Sequence, residues 1–417
     1  MKSIALPLTA LLGGVGLLVL GTGLMFSVIG VQAASANFSV LVTGLIMSAY
    51  FAGFVYGTYA CPGIIRHVGP IRTFAAMASV ASTLPILHAL WLNPWAWGVL
   101  RFVNGLCLVG LYIAVESWLN VLAPSGQRGR VFALYMLVSQ AALALGQWLL
   151  LVGDPRGFVP FALASILFSF ALLPITLTRV DEPPPTHAPR LGLRELFRIS
   201  PIGVVGAVGS GLVSGALYSL GHVFGQRVGM SEAGSASFMA ITILGGALFQ
   251  WPVGYLSDRY DHRVVLLTVC LLASVVATLA YLFALDDALW LVAIGAAFGG
   301  LVFTIYGLSV AHVNDLIERD RVLQVTGGLL LLHGVGATVG PTVAGAAMDA
   351  LGPGSFLLYF VAMLFALSML AWYFIRLRPM NRGERGAKEH YVPMASSSQA
   401  VLQLDPRAPD TLHESRL

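Results

Sequence analysis

The chain is expected to fold as an all-α membrane protein, with 12 transmembrane helices in two pseudo-symmetric six-helix bundles. Three observations lead there. Apolar stretches of bilayer length follow one another almost end to end, lysine and arginine concentrate in every second gap between them, and landmarks of the first half recur about 190 residues later. A hydrocarbon core about 30 Å thick is crossed by about 20 helical residues, and these runs are far too long for barrel strands. Composition agrees: 57% hydrophobic and 10% charged residues, with a mean hydropathy of +0.83, exceed what a water-soluble domain needs.

The spans read, in order, as 5–31, 38–60, 72–92, 95–118, 131–152, 157–178, 200–226, 233–256, 264–285, 288–313, 322–349 and 355–377. The first has the outline of a signal peptide, with Lys2 ahead of it and Ala34-Ser35-Ala36 behind. Its apolar run is about twice the usual 7–15 residue signal core, so it is expected to stay as a helix.

All but three of the 23 lysines and arginines fall at the termini or in one alternate set of gaps, among them Lys2, Arg66, Arg72, Arg128, Arg130, Arg179, Arg259, Arg263 and Arg376. The opposite set holds only Arg156 and Arg227, and Arg101 lies inside a span. Cytoplasmic loops retain positive charge during insertion, so both termini are expected in the cytoplasm and the chain in a bacterial inner membrane.

Between spans six and seven, Arg179-Val180-Asp181-Glu182-Pro183-Pro184-Pro185 forbids a continuous helix, and the amphipathic piece Leu191 to Ile199 is expected to lie at the membrane surface. This divides the chain into bundles at 1–178 and 200–377, a linker at 179–199 and a tail at 378–417. The tail is rich in Ser, Pro and charge, with little apolar surface, and reads as a disordered cytoplasmic extension.

The halves echo each other. Leu111-Tyr112 with Asn120 matches Ile305-Tyr306 with Asn314 at an offset of 194, and the loop from Pro62 to Gly69 lies 192 residues before that from Gly254 to Asp261. Two nearly equal offsets favour duplicated six-helix units with a site between them.

Several classes are excluded. The net charge of +4 comes from cations at membrane boundaries rather than from one basic patch, so no nucleic acid is expected as partner. Cys61, Cys107 and Cys270 have no metal-ligand spacing, and no metal is expected. No G-x-x-x-x-G-K-[ST] occurs, so no nucleotide is expected, and neither HExxH nor a serine–histidine constellation suggests an enzyme.

Gly254-Tyr255-Leu256-Ser257-Asp258-Arg259-Tyr260-Asp261-His262-Arg263 resembles the G-x-L-x-D-R-x-G-R-[RK] loop of the major facilitator superfamily, with Asp261 at the second glycine and His262 at a basic position. The first-half copy has Pro62 at the glycine, Arg66 at the aspartate and His67 at the arginine, and keeps Gly69. Arg101-Phe102-Val103-Asn104-Gly105 is similar to the family's R-x-x-x-G in the fourth helix. Gly336 to Gly345 looks like its G-x-x-x-G-P-x-x-G, which marks drug–proton antiporters in helix five but here falls in helix eleven. The resemblance covers about residues 5–377 and is to a bacterial branch whose substrates are largely unassigned.

Candidate residues follow. Arg101, Asn104, Gly105, Leu108 and Tyr112 share one helical stripe, expected to line a cavity. A bare guanidinium in lipid costs about 2.5–3.5 kcal/mol on insertion scales, which a watery cleft or a partner would relieve. Glu116, about 22 Å further along the helix at 1.5 Å per residue, lies near the cytoplasmic boundary, within reach of Arg66, Arg72, Arg128 or Arg130. The resemblance implies a salt-bridge latch there, and a buried carboxyl is alternatively a proton carrier. His333 and His222 have side chains that titrate near neutrality. The implied fold turns Tyr218 and Tyr306 towards the centre, and gives Gly254, Asp258, Arg259, Arg263, Arg66 and Gly69 a gating role.

The resulting expectation is a secondary active transporter of a small organic solute by alternating access. It is proton-coupled, without cofactor, monomeric, in contact with the lipid bilayer, and more suited to efflux than uptake. The alternative is a transport-inactive membrane sensor or scaffold.

Overall fold

The computed structural model describes residues 2–123, 127–176, 192–285, 287–318, 321–377, 391–393, 397–398 and 400. The proline-rich linker at 179–185 and most of the tail beyond Pro379 lie outside the described residues. The first half comprises α1 (Lys2–Ser35), α2 (Val40–Val68), α3 (Pro70–Leu90), α4 (Pro94–Leu122), α5 (Arg128–Trp148) and α6 (Val159–Thr176). A short α7 (Leu193–Ile199) leads to α8 (Pro201–Arg227), α9 (Glu232–Arg259), α10 (His262–Phe283), α11 (Ala288–Val302), α12 (Ile305–Asn314), α13 (Val322–Leu351) and α14 (Ser355–Leu377).

Eleven spans are long and apolar enough to cross a membrane, and α6 supplies a shorter apolar helix, Val159–Pro174. Span ten is broken into α11 and α12 at Phe303–Thr304, so the chain crosses twelve times. An even number of crossings puts both ends on one side, here called the terminal face.

Local chemistry sets the helix starts. Ser39, Asn93, Ser200, Ser231, Asp261 and Asp287 each accept a backbone N–H in the first turn, and Pro94 and Pro201 occupy first helical positions where no N–H is needed. Gly69, at φ 90°, turns the chain from α2 into α3, a conformation that side chains rarely adopt.

Helix pairings in one half are repeated in the other. α1 packs on α5 and α6 as α8 packs on α13 and α14; α2 packs on α4 as α9 packs on α11; α3 packs on α6 as α10 packs on α14. Between halves, α2 meets α13 and α5 meets α9, the two contacts a twofold axis would exchange, and α1 lies along α8. The echoes in the sequence are thus two six-helix bundles with a seam between them. The amphipathic α7 buries Leu196 and is tied to the start of α13 by Glu195 and Arg321, 2.5 Å apart.

Candidate functional site

Inter-helix backbone contacts decide where the seam is shut. Near the face opposite the termini, Cβ atoms added at Gly44 of α2 and Gly345 of α13 would stand 2.4 and 2.6 Å from the carbonyl oxygens of Pro341 and Val40. Only glycine allows so close an approach. Ser48 and Thr342 hydrogen-bond across the same contact at 2.8 Å. Asp349, in the last turn of α13, accepts the backbone N–H groups of Val40 and Leu41 at 2.9 and 2.8 Å, placing a carboxylate on the positive end of α2. The α5–α9 contact adds a bond from the Trp148 indole to Ser237 Oγ at 3.1 Å. Arg156 approaches Glu232 at 3.6 Å, and Gln226 donates to that carboxylate at 2.6 Å.

Towards the terminal face the bundles part around a cavity of about 200 Å³. Its wall is aromatic and apolar, with Phe26, Tyr50, Phe51, Phe54, Tyr112, Tyr218, Phe303 and Tyr306 from both bundles. Besides the tyrosine hydroxyls, Tyr135 among them, its hydrogen-bonding groups are those of Thr22, Thr58, Ser139, Gln140, Ser210, Ser214, Gln250, His333 and Ser397. No Asp, Glu, Lys or Arg lines it among the described residues. Phe26 and Phe303 stack on Tyr218 from the two bundles, with ring centroids 6.0 and 5.0 Å away, and form the floor.

The predicted residues divide. Tyr112, Tyr218, Tyr306 and His333 line the cavity. His333 Nδ1 lies 2.9 Å from Ser210 Oγ and its ring 4.9 Å from that of Tyr306, whose hydroxyl has no partner among the described residues. Arg101 and Asn104 do not line the cavity, and here the stripe reading is corrected. The guanidinium is 1% exposed, 4.6 Å from the Tyr50 ring and 5.2 Å from that of Phe26, and it donates to Asn104 Oδ1 at 3.3 Å. A Cβ at Gly105 would stand 1.9 Å from the Tyr50 carbonyl oxygen, so this face of α4 is pressed against α2. The aromatic rings hold the cation behind the wall through cation–π attraction of about 2 kcal/mol when desolvated. His222 also lies off the cavity, with Nε2 3.5 Å from Glu232 near the opposite face.

Glu116 is fully buried on the terminal side. Its partners among the described residues include three hydroxyls: Tyr135 and Ser397 each donate to Oε1 at 2.5 Å, and Ser398 donates to Oε2. At the end of α9, Asp258 accepts the Tyr391 N–H at 2.6 Å, Arg259 lies over the Tyr255 ring at 4.1 Å, and Gly254 lies under the Tyr391 ring. Arg263 bonds Asp261 through Nε at 3.1 Å and through its terminal nitrogen at 2.8 Å. Burial raises the Asp261 pKa, but these bonds, the Arg263 N–H and the adjacent positive charge outweigh it, and the carboxyl stays below its ordinary range. Arg66, expected in the first-half loop, lies in the last turn of α2 and is exposed.

Sequence reasoning missed Asp349, Tyr50 and the tail. An acid in the last turn of a helix opposes the helix dipole, which was a signal that Asp349 serves another helix. The tail, expected to be disordered, places Tyr391, Ser398 and Ala400 at 9% exposure or less. These described tail residues find their partners in the assembled seam.

Two repeated helix bundles, joined tightly on one face and enclosing a cavity that reaches the other, define a polytopic membrane carrier. The chain belongs to the Major Facilitator Superfamily, whose family model matches residues 11–311 and 204–408. It is 29% identical over 346 residues to an uncharacterized MFS-type transporter of Enterobacter sp. (strain 638), covering 82% of this chain and 89% of that one. It is 28% identical over 353 residues to the uncharacterized MFS-type transporter YcaD of Salmonella typhimurium (strain LT2), covering 84% and 91%. Among solved structures, the nucleoside transporter NupG has a TM-score of 0.72 at 13% identity, covering 90% of this chain and 100% of that one. A bacterial homolog of the human lysosomal transporter Spinster, inward-facing and occupied, scores 0.74, at 16% identity and covering 92% and 98%. Likeness at this identity is one of fold. Family and fold together make membrane transport the function.

Proposed function

We propose that the chain is a secondary active transporter of a small, uncharged and partly aromatic organic solute, working by alternating access with proton coupling. The observation that carries this reading is the cavity wall. Stacking faces come from both bundles, the hydrogen-bonding groups are neutral amides, hydroxyls and one imidazole, and no ionised carboxylate or cation among the described residues is there to hold a strongly polar nutrient. The same wall favours export over uptake. With the termini assigned to the cytoplasm from the positive charges, this reading makes the face where the bundles part the cytoplasmic one.

Glu116 is the proton-coupling group in this reading. Tyr135 lines the cavity and donates to the Glu116 carboxyl, so one hydroxyl joins the solute chamber to a buried acid. Solute occupancy and the charge of Glu116 then bias the same two-state equilibrium. Asp258, Arg259 and Arg263 act mechanically, through contacts that form in one state and break in the other.

The test is flux in proteoliposomes with an imposed pH gradient, across a panel of neutral aromatic, cationic and anionic solutes. Gradient-driven movement of neutral aromatic compounds, with pH dependence lost in Glu116→Gln, is the expected result. Preferential movement of ions would overturn the substrate class, and inert vesicles across the panel would favour the sensor alternative.

A further inference from the structure

We propose that the segment containing Tyr391, Ser397, Ser398 and Ala400 is a tethered plug, which fills the cavity mouth on the terminal face and must leave before the bundles can close there. One end of it is seated on the second bundle. The Tyr391 ring covers two glycines, Gly254 of α9 and Gly307 of α12, where an added Cβ would meet it at 2.6 and 2.7 Å. Its N–H and hydroxyl donate to Asp258 at 2.6 Å and Gln250 at 2.5 Å. The other end is seated on the first bundle, where Ser397 and Ser398 donate to Glu116 and the Asn120 amide donates to the Ala400 carbonyl at 2.7 Å.

Described residues of the segment are therefore seated on both sides of the seam, and Ser397 is itself part of the cavity wall. Two consequences follow. A solute entering or leaving on this face meets the segment first. The bundles also cannot rock together here while it is in place, because Tyr391 and the serines occupy the space they would fill.

In this chain the glycine of the loop signature is the seat of the Tyr391 ring. The other end defines the chemistry of release. The serine hydroxyls recognise a carboxylate in a buried setting, so an added negative charge at these serines places like charges together where solvent screens them poorly, and the segment is expelled. The plug goes beyond the transport reading and needs from it only that the cavity is the solute route.

The test uses the full chain with Cys61, Cys107 and Cys270 replaced by alanine, and Gln140→Cys as a single reporter in the cavity wall. Labelling of purified protein by a bulky maleimide reports access without any solute. Slow labelling of this parent and an acceleration of at least about tenfold in Ser397→Asp/Ser398→Asp are expected, with adding Glu116→Gln returning the rate towards the parent because an amide accommodates the new carboxylates. A rate within twofold of the parent in the aspartate variant overturns the proposal. Should that variant fail to fold, Asn120→Cys and Ala400→Cys in the cysteine-free chain with Gln140 native are treated with a short bis-maleimide cross-linker. An intramolecular product is expected, and its absence refutes the seated tail. Neither readout depends on flux, so failure here leaves the transport reading standing, and inert vesicles leave the plug standing.

Discussion

The two ends of the seam between the bundles are closed by different means. Near the opposite face α2 and α13 touch backbone to backbone at Gly44 and Gly345, and Asp349 fastens one helix to the N-terminus of the other. Towards the terminal face Gly334 meets only the Val55 side chain, and Gly63 has nothing within 4 Å. At that face described tail residues, distant in sequence, sit against α9 and α12 of one bundle and α4 and α5 of the other. One end is closed by the bundles themselves and the other by an insert. A rigid pair of bundles with a central cavity can bring their bodies together at one end at a time, so direct closure at the opposite face goes with parting at the terminal face.

The comparison can be broken most strongly at Gly345. Leucine there would drive a side chain into the Val40 carbonyl, an overpacking that costs about 1–3 kcal/mol. Labelling of a Ser48→Cys reporter in the seam by an impermeant thiol reagent is expected to rise at least about tenfold. Asp349→Ala comes next. An exposed carboxylate capping two N–H groups contributes about 1 kcal/mol, and the same reporter should label about fivefold faster. Glu232→Gln should change it by about two- to threefold, because Arg156 is 68% exposed and such surface pairs typically contribute about 0.5 kcal/mol.

The smallest expected effect is at Asp261, on the terminal face, and it concerns pH. A carboxyl whose folded pKa is depressed stabilises the fold above the ordinary carboxylate value, about 4, and that contribution is lost as pH falls through its folded pKa. Thermal unfolding should show a fall in midpoint below about pH 4 that is shallower in Asp261→Asn, with Ser48→Cys labelling unchanged.

The fold was legible because hydropathy and charge alternation are local signals, and the duplicated landmarks revealed the two halves. Arg101 was harder. A helical stripe shows which residues share a face, but not whether that face meets water or another helix. Gly105 within the stripe was the clue, since a glycine between bulky neighbours marks close helix approach. Tyr112, two turns past the pressed contact, does reach the cavity. Glu116 was recognised as buried, but its hydroxyl partners Ser397 and Ser398 lie some 280 residues further along, in a segment whose composition suggests no fold of its own. Such a seat is a property of the assembled seam and leaves no periodic trace in the sequence.

The central claim is that the two ends of the seam move reciprocally. Spin labels at Leu92 and Phe283 report the opposite face, and labels at His67 and Tyr260 report the terminal face, all at exposed positions. In purified protein carrying Ser397→Asp/Ser398→Asp to free the mouth, Gly345→Leu should lengthen the first distance and shorten the second. Two unchanged distances, or two that lengthen together, would contradict alternating access in this molecule.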